Sequence, residues 1–216
     1  MTFASDSFTG TPVTELSAYN ANWSKQIGFT TNAFIGVDSG TYAICTDTSA
    51  YNVYVRSESP ASADYSVFVD IARRVASPTN KPEQGPIGRA QSGAATFYAA
   101  LHSDTLNDIR LYKWVSGTPT QLGSTYSLTL STNVAVNVEL RMSGSSIKVF
   151  IDGVERIAAT DSAISGAGKA GIIGRRMRDS GVQDTGAIDN FNAVNAASAA
   201  ASAVARRAFP RAILNF

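Results

Sequence analysis

Three residues that could do recognition chemistry alternate along one stretch: Arg110, Tyr112 and Trp114. Successive side chains of a β-strand point to opposite faces, so these three would share one face. Tyr98 and His102 alternate in the same way along the stretch before it. If the two faces align, Tyr98, Arg110, Tyr112 and Trp114 form an exposed polar-aromatic patch. Aromatic faces with a few hydrogen-bonding groups are what a sugar site needs, so these four are the expected ligand-binding residues. The same side chains could instead pack under a loop or meet a protein.

Catalysis finds less support, and no catalytic residue is expected. A Ser-His-Asp hydrolase would have to use His102, the only histidine, and no Gly-x-Ser-x-Gly elbow accompanies it. Glycoside hydrolysis needs two carboxylates facing one another across the bond. Asp70 and Glu139 lie in strand-like runs, but nothing in the sequence pairs them. With one histidine and one cysteine, Cys45, a Cys/His zinc site within the chain is excluded. Cys45 reads as a small core residue. Asp179, Asp184 and Asp189 lie in a glycine-containing segment and are the candidate oxygen ligands for calcium, although their spacing matches no EF-hand. Arg175, Arg176 and Arg178 stand beside them. Internal ion pairing would explain that cluster, and so would a phosphate partner.

The elements that must position these residues are strands. Even-numbered positions 134–142 hold Val134, Val136, Val138, Leu140 and Met142, with Asn137, Glu139 and Arg141 between them. That alternation predicts one buried and one wet face, with the even-numbered set buried. Ile147, Val149 and Ile151 resume it after Ser143-Gly144, and Asp152-Gly153 is a tight-turn signal because both residues tolerate positive φ. Further strands are expected over residues 2–8, 41–45, 51–56, 64–75, 87–91, 96–102, 108–115, 170–174 and 187–194, with short ones near 121–122 and 126–130. Phe8, Trp23, Ile27 and Phe29 read as core anchors. Residues 77–86 hold Pro78, Pro82 and Pro86 and read as an exposed loop. Residues 116–119 read as a turn. Short strands joined by Gly, Ser, Pro and Asn turns indicate a sandwich or barrel.

The length of 216 residues suits one all-β domain, and 44% hydrophobic content supports a core. A formal net charge of +1 argues against a nucleic-acid-binding role. No apolar run is long enough to span a bilayer. The opening Met1-Thr2-Phe3-Ala4-Ser5-Asp6 lacks a basic n-region and an apolar h-region, so synthesis as a cytoplasmic protein is expected.

Composition changes at Asn195. Residues 196–208 are mostly alanine, the best helix former, and Pro210 would end such a helix. Residues 1–194 are therefore expected to be the sandwich and 195–216 a C-terminal arm, Ala-rich and helical or extended. Arg206, Arg207, Phe209, Arg211, Ile213, Leu214 and Phe216 are its expected partner-binding residues, because apolar side chains left in water favour aggregation and aromatic anchors dominate interfaces.

The phrase Leu140-Arg-Met-Ser-Gly-Ser-Ser-Ile-Lys-Val-Phe-Ile-Asp-Gly-Val154 resembles the concanavalin A-like (laminin G/lectin/glucanase) superfamily. Asp6-Ser7-Phe8, Ile87-Gly-Arg-Ala with Phe97-Tyr98-Ala99-Ala100, and Ala187-Ile-Asp-Asn-Phe191 agree with it. The likeness covers roughly residues 2–194 and implies an antiparallel two-sheet jelly-roll sandwich. It is most similar to modules of this kind in phage virion proteins and bacterial surface proteins. Many sandwiches of this superfamily hold a structural calcium ion. Its laminarinase-type enzymes carry Glu-x-Asp-x-x-Glu on one strand, a pattern this sequence lacks. The expectation that follows is a non-enzymatic virion structural protein, a capsid decoration protein or a tail or fibre component. It would be made in the host cytoplasm, form a homo-oligomer, and attach through the arm to a capsid or tail protein. The alternative is a carbohydrate-binding module acting at a cell surface, with a glycan as its partner.

Overall fold

The computed structural model describes residues 1–11, 14–26, 35–38, 42–45, 50–74, 81–177 and 185–196. In chain order the elements are β1 (Thr2–Asp6), β2 (Thr14–Glu15), a single helical turn α1 (Leu16–Tyr19), β3 (Trp23–Lys25), β4 (Ile35–Asp38), β5 (Tyr42–Cys45), β6 (Asn52–Arg56), β7 (Tyr65–Arg73) and β8 (Glu83–Ala90). There follow β9 (Phe97–Ser103), β10 (Asp108–Val115), β11 (Thr118–Ser127), β12 (Val136–Ser143), β13 (Ser146–Ile151), β14 (Val154–Thr160), β15 (Lys169–Arg175) and β16 (Gly186–Asn195).

These strands build two antiparallel sheets. The nine-stranded sheet runs β14-β13-β12-β7-β16-β5-β4-β2, with β1 also paired to β16. The seven-stranded sheet runs β11-β10-β9-β8-β15-β6-β3. The main core lies between them and draws on both: Val67, Val69, Val138, Leu140 and Val149 from the first, Tyr98, Ala100, Ile109, Leu111 and Ile172 from the second. The chain is thus an all-β sandwich of two antiparallel sheets.

Local chemistry explains the hairpins. Asp152 and Gly153 both sit at positive φ, 49° and 78°, the two-residue connection whose twist suits adjoining strands. Val138, Leu140 and Met142 are buried and pair with Ile151, Val149 and Ile147 across the β12–β13 ladder. Their odd-numbered neighbour Glu139 faces the other way, where Arg141 and Ser66 bond its carboxylate.

Four expectations change. Val134 is 45% exposed, because β12 begins only at Val136, itself half-buried. Pro86 is not in a loop. It lies inside β8, where the β8–β9 ladder passes from Gln84↔His102 to Ile87↔Ala99, and a proline has no N–H to give a ladder. Pro119 likewise stands second in an edge strand rather than ending a turn, since β11 pairs with β10 and with no other described strand. The two short strands expected near 121–122 and 126–130 are one, interrupted by a register shift between Ile109 and Leu111 of its partner.

At one end of the sandwich the fully buried Arg89 ties three loops together. Its guanidinium donates to the carbonyls of Ala63, Gly144 and Ile164, each at 2.9 Å, and its backbone N–H donates to the Tyr65 hydroxyl. The last strand ends at Asn195, and the Ala196 N–H bonds Asp64 O at 3.0 Å. The partner-binding residues expected in the arm, Arg206, Arg207, Phe209, Arg211, Ile213, Leu214 and Phe216, lie outside the described residues.

Candidate functional site

The seven-stranded sheet has a second face, turned away from its partner sheet. Register alone assigns the side chains to it. Across β9 and β10, Trp114 pairs with Phe97, Tyr112 with Ala99, Arg110 with Leu101 and Asp108 with Ser103. These residues share the outward face. Lys113 pairs with Tyr98, Leu111 with Ala100 and Ile109 with His102, and those face the core.

The expected exposed patch is therefore split. Arg110, Tyr112 and Trp114 do share a face, with Arg110 and Tyr112 half-buried. Tyr98 faces inward and has no exposure. Its hydroxyl donates to Asp161 Oδ1 at 2.7 Å, while Lys113 Nζ holds Asp161 Oδ2 at 2.5 Å. Burial, with the Asp161 bond second, pushes the Tyr98 hydroxyl up to about 12. His102 is buried too, with Nε2 3.1 Å from Leu128 O, and burial lowers its pKa. Trp114 is only 3% exposed. It stacks on Phe97 at 5.1 Å and touches Tyr112 at 5.3 Å and Tyr51 at 6.0 Å between ring centroids. It supports the patch from beneath.

The centre of this face is closed, not an open trough. Val53, Ile87, Ala99 and Ile173 are fully buried there and form a second apolar cluster with Trp114. The half-exposed side chains are Tyr51, Arg110, Tyr112 and Arg175. A polar row stands with them. Arg175, Glu83, Ser103 and Asp108 are direct cross-strand partners on β15, β8, β9 and β10. Arg175 grips Glu83 with two bonds of 2.7 and 3.1 Å, and its guanidinium lies 4.3 Å from the Tyr51 ring centroid. The Tyr51 hydroxyl donates to the same carboxylate. Burial first, and the Glu83 carboxylate second, push the Tyr51 hydroxyl well above the ordinary range. Arg110 bonds Asp108 Oδ2 at 2.6 and 3.0 Å. The Tyr112 hydroxyl, ahead of Asp108, holds the Arg110 guanidinium above its usual pKa.

Tyr51, Glu83, Ser103 and Asp108 are not among the residues the sequence marks as ligand-binding, and Arg175 is marked only within the basic cluster that ion pairing or a phosphate partner would explain. Glu83 lies in the proline-rich segment read as a loop, and its partner Arg175 is far along the chain. No local pattern links them. Only the alternation of Asp108 with Arg110, Tyr112 and Trp114 was there to be seen. For Arg175 the ion pair with Glu83 is the partner found.

Of the three expected calcium ligands, Asp179 and Asp184 lie outside the described residues. Asp189 sits on β16 opposite Asp70 of β7, far in the fold from the aromatic patch, on the other sheet. Among the described residues no group of three His, Cys, Asp or Glu side chains is gathered as a ligand set. Asp70 takes bonds from Asn137 and Asn190 at 2.8 and 2.9 Å. Burial, with the charges of Asp70 and Asp6 adding to it, pushes the Asp189 carboxyl from 3.8 up to about 6. A carboxyl raised on folding favours the folded state while protonated, and that advantage is lost as pH rises from 3.8 through about 6. Asp189→Asn will therefore raise the melting temperature at pH 7.5 and leave it unchanged at pH 3. An equal shift at both values would exclude the charge as the cause.

With this geometry in view, solved structures of similar shape can be placed. A carbohydrate binding module, CBM66, from Bacillus subtilis superposes with a TM-score of 0.61 at 17% identity, covering 81% of this chain and 96% of that one. A protein of unknown function with a galectin-like fold, also from Bacillus subtilis, gives 0.58 at 11% identity over 90% and 96%. The exoplasmic/lumenal domain of VIP36 in its Ca2+/Man-bound form gives 0.58 at 10% identity over 89% of each chain. The fold is a concanavalin A-like jelly roll. At these identities the likeness extends to the fold of this jelly roll and no further. No family model matches the chain, and no curated protein matches it.

Proposed function

We propose that this jelly roll is a carbohydrate-binding module that binds without turnover, through the outward face of its seven-stranded sheet. One observation carries the reading. Tyr51 and Tyr112 present half-exposed rings on a fixed Trp114 support, flanked by Arg110 and Arg175, each already bonded to a carboxylate. Aromatic faces take the apolar side of a sugar ring, and the polar row supplies directional bonds to its hydroxyls. The names of two similar structures, a carbohydrate binding module and a mannose-bound domain, lend support. The virion role, the capsid or tail partner and the homo-oligomer expected from the sequence rest on the family resemblance and the arm, and none of these structural likenesses bears on them.

The test is a glycan array followed by titration calorimetry. Tyr112→Ala will weaken binding at least about tenfold, roughly 1.4 kcal/mol, while its melting temperature stays near that of the parent. Failure of the parent chain to bind any glycan would remove the reading.

A further inference from the structure

Ser103 and Asp108 face one another across β9 and β10 on the outward face, each 6% exposed. Asp108 Oδ2 carries both bonds from Arg110. Among the described residues, Asp108 Oδ1 has no hydrogen-bond partner, and neither has Ser103 Oγ. Buried polar atoms are nearly always paired, so two orphans side by side at a candidate site point to a group that completes them. Their chemistry says which group. A carboxylate oxygen only accepts, whereas the serine hydroxyl can donate as well. A single ligand hydroxyl satisfies both, donating to Asp108 Oδ1 and accepting from Ser103 Oγ.

The charges of the row narrow the class further. Arg110 is closed on Asp108, and Arg175 is closed on Glu83. An anionic ligand would meet no free guanidinium fork, and it would lie beside two carboxylates. A neutral polyol is repelled by neither.

We propose that Ser103 and Asp108 hold one hydroxyl of a neutral sugar at the polar row of the site, beside the Glu83–Arg175 pair. This rests on the carbohydrate reading above. The hydroxyl enters beside Arg110, whose side chain is 26% exposed and keeps both its bonds on Asp108 Oδ2.

The experiment uses the full chain and its Ser103→Ala variant. An array carries neutral hexose oligosaccharides and their uronate-bearing counterparts, and the tightest neutral oligosaccharide is then titrated calorimetrically against both proteins. Ser103→Ala will weaken binding by about fivefold or more, the worth of one hydrogen bond. Its melting temperature will be unchanged or higher, because the lost hydroxyl bonds no other described residue of the protein. A smaller loss of affinity overturns the proposal, as does a lowered melting temperature, which would show a structural bond. Equal binding of uronate-bearing glycans overturns the neutral class. If the parent binds no oligosaccharide at all, the carbohydrate reading falls and this proposal falls with it, a result distinct from binding that ignores Ser103.

Discussion

Trp114→Ala will destabilise the protein by about 3–5 kcal/mol, the usual cost of truncating a buried aromatic side chain. The indole is 3% exposed and packs on Phe97, Tyr51 and Tyr112. Its loss leaves a cavity beneath the two rings proposed to meet the ligand. Binding will therefore be lost with stability, not separately from it. Tyr112→Ala is the contrasting variant, since that ring is half-exposed. Urea denaturation of the two variants separates support from contact. A Trp114→Ala protein within about 0.5 kcal/mol of the parent, as exposed substitutions usually are, would show that the indole supports nothing.

Val138→Asp will cost several kcal/mol, because it places an unpaired carboxylate in an apolar interior. Val138 has no exposure and lies between Val69 and Ile151 on the neighbouring strands. Its cross-strand partners on both sides are apolar. A loss of that size consumes much of the about 5–15 kcal/mol that holds a typical domain folded, so the variant will be largely unfolded or will melt far below the parent. Arg141→Asp tests the same strand at an exposed position on its opposite face. Its effect will be smaller, although it gives up the bonds to Glu139. Matching denaturation curves for Val138→Asp and the parent would sink the assigned register.

Much of the strand framework was legible because period-two patterning and turn chemistry are local. The run over 108–115 is β10 to the residue. The hairpins around Gly144 and Asp152-Gly153 follow from residues that accept positive φ. Of the anchors, Trp23 and Phe8 are buried and stack with one another, and Ile27 and Phe29 lie outside the described residues. Proline misled in two places. Pro86 and Pro119 punctuate sequence strongly, yet each sits in a strand where its missing N–H is tolerated.

The site was legible only in part, for a reason visible in β9. Its seven residues, Phe97 to Ser103, are all buried. Alternation reveals two faces but cannot say which is the core when neither is wet. The pattern therefore groups Tyr98 with Trp114, although a single step of register separates them. The polar row depends on pairings no window contains, such as Glu83 with Arg175, 92 residues apart. By itself the sequence determined that the chain alternates, where the hairpins at Gly144 and Asp152-Gly153 turn, and that Arg110, Tyr112 and Trp114 share one side. Only the tertiary structure decided which side faces the second sheet, because that depends on which strands become neighbours, and strand pairing is settled by burial summed over the whole core.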